Sequence, residues 1–107
     1  MNEYLKEKEF YLESHKDEKN IIERIEKALE KYNERFDVKC RLYFYHKLKL
    51  EMSNGLEEYI YELAINPDTD EIISDSERFN EEISKEGYKD WFPVKDLIDY
   101  LENGKLY

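Results

Sequence analysis

Two histidines, one cysteine and a dense run of carboxylates are the residues of this 107-residue chain best suited to chemistry. His15 and His46 are the acid–base candidates, because imidazole is the side chain that titrates near neutral pH. His15 falls in a charged stretch between two helical patterns. His46 lies on the apolar side of a strand-like alternation and reads as a partly buried imidazole bonded to a neighbour. General acid–base work needs a second group at the same site, and the sequence nominates none. Cys40 shares the apolar side with His46. It reads as a buried structural thiol, since a nucleophilic cysteine needs an exposed, electropositive setting.

Asp68-Thr69-Asp70-Glu71 places three carboxylates in four residues. A calcium-binding EF-hand loop needs alternating acids, a central glycine and a distal glutamate, and these are missing, so a turn is the simpler account. Pro67-Asp68 invites comparison with PD-(D/E)xK nucleases, but no downstream strand supplies the acid-x-lysine half of that signature. Glycines at 55, 87 and 104 alone exclude a glycine-rich phosphate loop. The residues predict no catalytic site, no metal and no cofactor. The chain reads as a non-enzyme.

The elements that position these residues centre on a hairpin, Val38 to Ile65. From Val38 to Met52 the residues Val38, Cys40, Leu42, Phe44, Leu48, Leu50 and Met52 alternate with Lys39, Arg41, Tyr43, Tyr45, Lys47, Lys49 and Glu51. His46 is the only polar intruder on the apolar side. Period 2 predicts one long strand with one face buried. Asn54-Gly55 then predicts a two-residue type I′ turn, which sets Leu50 against Tyr59, Leu48 against Tyr61, His46 against Leu63 and Phe44 against Ile65. On the wet face Lys47 meets Glu62.

Around that hairpin, Tyr4, Leu5, Tyr11 and Leu12 share a helical face, which predicts a short N-terminal helix, although a strand around Phe10–Leu12 is a second option. Ser14 with Asp17 resembles a capping box. Ile21, Ile22, Ile25, Ala28, Leu29, Tyr32 and Phe36 form the apolar stripe of an amphipathic helix from about Lys16 to Arg35. Asn66 to Asp70 is a turn cluster, and Glu71–Ser74 a third strand. Asp75 or Ser76 caps a helix to about Lys85, stopped at Gly87. Pro93 opens a last helix with Leu97, Ile98 and Leu101 inward. Segregated strands and helices predict a single α+β domain over 1–107. Its expected form is a three-stranded antiparallel β-meander, with N-terminal helices packed on one face and two short C-terminal helices.

Charge is the most informative functional signal. The net charge is −10, with 41% of residues charged. Such a chain repels nucleic acid as a whole and favours a basic partner. A lone cysteine, no apolar leader and no stretch long enough to cross a bilayer predict a soluble cytosolic protein. Between Leu56 and Ile83 stand Glu57, Glu58, Glu62, Asp68, Asp70, Glu71, Asp75, Glu77, Glu81 and Glu82, with Arg78 the only base. That window holds −9 of the −10. Lys39, Arg41, Lys47 and Lys49 make the first strand's wet face basic, read either as cross-strand pairing with Glu62 and its neighbours or as a single-stranded nucleic-acid surface with Tyr43 and Tyr45.

Size, acidity and tyrosine content are similar to those of small inhibitory proteins, namely phage-encoded anti-CRISPR proteins and immunity proteins that neutralise toxin nucleases. This likeness is one of type, carried by no motif. The expectation is a non-enzymatic inhibitor that binds a basic nucleic-acid-handling protein through the ten acids, as a phosphate or DNA mimic. The alternative is a structural or interaction module, homodimeric through a sheet edge or the Ile21–Phe36 helix.

Overall fold

The computed structural model describes residues 2–107. An α+β fold results, with four α-helices and one five-stranded antiparallel sheet in the order β1-β2-β3-β4-β5. Helix α1 spans Glu3–Ser14, and a 3-10 turn at Lys16–Glu18 leads into α2, Lys19–Phe36. The strands are β1 (Arg41–Tyr43), β2 (Lys49–Ser53), β3 (Glu58–Asn66), β4 (Glu71–Ser74) and β5 (Phe92–Pro93). Helix α3, Glu77–Ile83, separates β4 from β5, and α4, Val94–Asn103, follows β5 directly.

Alternation along the strands sends Leu42, Leu50, Met52, Tyr61, Leu63, Ile72 and Phe92 into the core. The α2 stripe of Ile21, Ile22, Ile25, Ala28, Leu29 and Tyr32 is buried in the same cluster, together with Val94, Leu97 and Leu101 of α4. Burying a Leu- or Ile-sized side chain contributes about 1.5–3 kcal/mol, so this layer dominates the stability of the fold. Arg41, Glu58, Ile60 and Ala64 point the other way and are exposed. The sheet thus has one covered face and one open face, in a body 33 × 31 × 19 Å.

The long first strand is corrected by the structure. The stretch Val38–Met52 is itself a hairpin, with Leu42 opposite Leu50 and Arg41 opposite Glu51. Its apex is His46, at φ +65°. The Lys47 N–H donates to the Tyr45 carbonyl at 2.8 Å. Pairing even residues with even residues keeps the period-2 pattern unbroken through the reversal, which is why the alternation concealed it. His46 is therefore exposed in a turn and does not lie on the apolar face opposite Leu63.

The second hairpin keeps its predicted face and changes its partners. Leu50 pairs with Tyr61, Met52 with Tyr59 and Lys49 with Glu62, a two-residue slip from the predicted register. A four-residue loop, Asn54–Glu57, replaces the two-residue turn. Asn54 Oδ1 accepts from the Leu56 and Glu57 N–H groups at 2.9 and 2.8 Å, while Gly55 takes φ +89°. These side-chain bonds reward the longer loop. A slip of two leaves every side chain on its original face.

The three-stranded meander becomes five strands because the predicted first strand divides into β1 and β2 and because Phe92–Pro93 adds to β4 through Ile72 and Phe92. Ser76 caps α3 by accepting from the Phe79 N–H at 3.2 Å. Ser14, expected as a cap for α2, is instead the last residue of α1. Asn80 is buried and brackets the α3–β4 corner. It accepts from the Ser74 N–H at 2.9 Å and donates to the Ser74 and Lys89 carbonyls at 3.1 and 3.0 Å. Among the described residues no helix is long and apolar enough to cross a membrane.

Candidate functional site

The ten acids of the 57–82 window do not form one patch, because β3 carries five of them to its opposite ends. Glu57 and Glu58 stand at its start, and Asp68 and Asp70 in the turn after its end lead into Glu71, the first residue of β4. The nine residues of β3 separate these two sets by about 26 Å at about 3.3 Å per residue. Glu62 and Asp75 lie between them. Glu77, Glu81 and Glu82 sit on α3, which returns toward the start of β3: Ser76, Arg78 and Glu82 line one cleft with Tyr59 and Tyr61.

Several of these carboxylates are already engaged within the fold. Arg24 of α2 donates to Asp70 at 2.8 Å, Lys47 reaches Glu62 at 3.5 Å and Lys89 reaches Glu81 at 3.7 Å. Glu57 accepts from the Tyr59 hydroxyl, which raises the pKa of that tyrosine. Asp75 is structural, since its Oδ1 accepts from the Glu62 N–H at 3.1 Å. Among the described residues Glu57, Glu58, Asp68, Glu71, Glu77 and Glu82 form no ion pair.

The basic strand is divided between the first hairpin's two arms. Lys49 stands directly across from Glu62, and Arg41 across from Glu51. The Arg41 guanidinium also lies over the Tyr43 and Tyr4 rings at 4.1 and 5.4 Å. Lys47 does meet Glu62, as expected, although the turn rather than the ladder brings it there. Of Lys39, Arg41, Lys47 and Lys49, only Lys47 forms an ion pair among the described residues.

The two histidines, far apart in sequence, line the same pair of clefts, of about 490 and 550 Å³, and Tyr11 lines both as well. His15 stacks on the Tyr11 ring at 4.0 Å, and its Nδ1 lies 2.9 Å from the Tyr11 carbonyl. A carbonyl only accepts, so Nδ1 carries a proton. It therefore cannot also accept from Ser14 Oγ, 3.4 Å away, which excludes Ser14 as a nucleophile activated by this nitrogen. The Tyr11 hydroxyl donates to the buried Glu18 at 2.7 Å. Desolvation first, and this bond second, push the tyrosine well above its ordinary pKa. Among the described residues no three His, Cys, Asp or Glu side chains are grouped to hold a metal.

Cys40 is buried, with Sγ 3.2 Å from the Ser53 N–H. Burial raises its pKa, which leaves the thiol protonated and inert. The Ile21–Phe36 stripe, one expected dimer surface, is consumed by the core except at its half-buried Phe36 end.

Sequence reasoning missed a tyrosine cluster. Tyr59 and Tyr61, two apart on the covered face of β3, meet Tyr107 edge-on at 5.4 and 6.1 Å. The Tyr107 N–H is held by the Tyr32 hydroxyl at 2.9 Å. The i, i+2 spacing on β3 was readable; the arrival of Tyr107 was not, because it depends on the path after α4. The chain matches no protein-family model, no curated protein and no solved structure.

Proposed function

We propose that this is a non-enzymatic docking protein that binds a basic, nucleic-acid-handling partner and inhibits it by presenting carboxylates where phosphates would lie. The observation that carries the reading is the set of acids near the β2–β3 loop and on α3. Glu57, Glu58, Glu77 and Glu82 are exposed, and among the described residues none has an ion-pair partner. Exposed like charges repel, and a complementary basic surface relieves that repulsion while speeding encounter. Leu56 at the loop tip is 95% exposed and Ile60, on the open face with Glu58, is 59% exposed, so this end also offers apolar contact. The Asp68–Glu71 end is secondary in this reading, because Arg24 already neutralises Asp70. Anti-CRISPR-type and nuclease-immunity proteins are the two kinds of inhibitor that the chain's size and acidity suit.

The test is charge reversal in two sets. Glu57, Glu58, Glu77 and Glu82 changed to Lys should abolish binding of a basic nucleic-acid-binding protein, with the far-UV and thermal signatures of the fold retained. Asp68 and Glu71 changed to Lys should weaken it less. Binding should also weaken steeply with salt. Full binding by the fourfold variant sinks the proposal.

A further inference from the structure

The tyrosine cluster beside α3 borders a cleft of about 340 Å³ lined by Tyr59, Tyr61, Ser76, Arg78, Glu82 and Tyr107. Tyr59 and Tyr61 lie nearly parallel, 9° apart with centroids at 6.4 Å, and Tyr107 stands at 83° and 86° to them. The three rings make an aromatic corner, a stacked pair met by a third ring nearly at right angles. A ring face attracts cations through its quadrupole, and an adjacent carboxylate adds a full charge. Glu82 supplies that carboxylate at the cleft, with Glu57 hydrogen-bonded to the Tyr59 hydroxyl behind it.

We infer that this corner receives a lysine or arginine side chain of the basic partner, seated against the Tyr59 and Tyr107 rings with Glu82 as its counter-charge. The inference rests on the proposed docking function and names where on the anionic surface a partner side chain anchors. Charge complementarity selects the occupant. Glu82 in the cleft, with Glu57 on the Tyr59 hydroxyl and Glu58 next to it in sequence, outweighs Arg78 and disfavours an anion, and an apolar side chain would desolvate Glu82 while offering it no charge. Arg78 is the one opposing group. It is exposed, lines the cleft and forms no ion pair among the described residues, so it is able to swing outward as the incoming cation enters. Its effect on binding therefore has a definite sign: removing it should help a cation and harm an anion.

The test follows the tyrosine ring resonances of the isotope-labelled full chain during titration with N-acetyl-arginine methylamide, and separately with acetate. The rings of Tyr59, Tyr61 and Tyr107 should shift together with the arginine probe and not with acetate. Tyr59→Leu and Glu82→Gln should each weaken the response about two- to fivefold, the scale of one exposed cation–π contact. Arg78→Gln should strengthen it. Rings that ignore the arginine probe, or that answer acetate and lose that answer in Arg78→Gln, overturn the assignment. A parallel titration with protamine separates this inference from the one beneath it. Protamine binding that resists Tyr59→Leu and Glu82→Gln, yet is lost in the fourfold charge reversal, overturns the cleft alone. Protamine binding that survives that reversal overturns the anionic docking reading itself.

Discussion

Asp75 closes the β3–β4 ladder on Glu62 with both its backbone and its side chain. The Asp75 N–H donates to the Glu62 carbonyl at 3.0 Å, and Asp75 Oδ1 accepts from the Glu62 N–H at 3.1 Å. Glu62 is also the last residue of β3 paired with β2, through Lys49, whereas Leu63 to Asn66 pair with β4. The strand changes partners at this point. Asp75 holds the change in place.

Asp75 therefore has a structural role at this switch of partners. Asp75→Ala removes the acceptor of the Glu62 N–H and should cost about 1–2 kcal/mol. Asp75→Asn keeps an acceptor oxygen and should recover most of that. Urea denaturation midpoints of the two variants check the difference. Equal midpoints would make Asp75 a surface acid like its neighbours.

His46 separates the hairpin apex from the core position that the alternation predicted. A left-handed backbone conformation costs a side-chain-bearing residue about 1–2 kcal/mol, and His46 holds φ +65° in an exposed turn. Glycine relieves that strain, so His46→Gly should leave stability unchanged or raise it by up to about 1 kcal/mol, part of the gain being lost to unfolded-state entropy. A core histidine replaced by glycine would destabilise strongly. Thermal unfolding of the variant distinguishes the two positions by sign.

Asn80 makes three hydrogen bonds from a side chain that is 1% exposed. Asn80→Leu strands the Ser74 N–H and two carbonyls in the interior and should cost about 3 kcal/mol or more. Hydrogen exchange should show faster opening of β4 and α3 than of α2, since the bracket ties that corner alone.

Alkaline pH should unfold the protein through its tyrosines. Tyr4, Tyr11, Tyr100 and Tyr107 all have pKa values pushed above the ordinary 10.0, with burial the largest cause in each. The folded state holds these protons more tightly than the unfolded chain. Their contribution is fully present below about pH 10 and is lost as pH rises beyond it, softened by the partial exposure of each ring. Stability should be flat with respect to these groups from pH 7 to 9. Ultraviolet titration should show most tyrosinate absorbance appearing late and together with unfolding. A normal titration centred on pH 10 in the folded protein would contradict the burial of these hydroxyls.

What the sequence made legible was what local rules control. The α2 stripe, β4 at Glu71–Ser74, the Ser76 cap and the helix after Pro93 each rest on periodicity or a cap within a few residues. The first hairpin was hidden because its apex preserves parity and uses no glycine. Its only mark was the one polar residue in the apolar series, His46. The β2–β3 register was off by two because the Asn54 side chain builds a wider loop than Asn-Gly usually does. For the site, the acids were legible as a count. Their division along β3, the neutralisation of Asp70 by Arg24 from 46 residues away and the meeting of Tyr107 with Tyr59 are tertiary facts that no local pattern carries.

The most direct measurement of the central claim is a competitive capture. The immobilised protein and its Glu57/Glu58/Glu77/Glu82→Lys variant are exposed to the same lysate, and bound species are eluted with duplex DNA. The docking account predicts a basic, nucleic-acid-binding protein that the wild-type chain retains, DNA displaces and the variant fails to hold. Retention of the same species by the variant, or binding that duplex DNA does not displace, would contradict it.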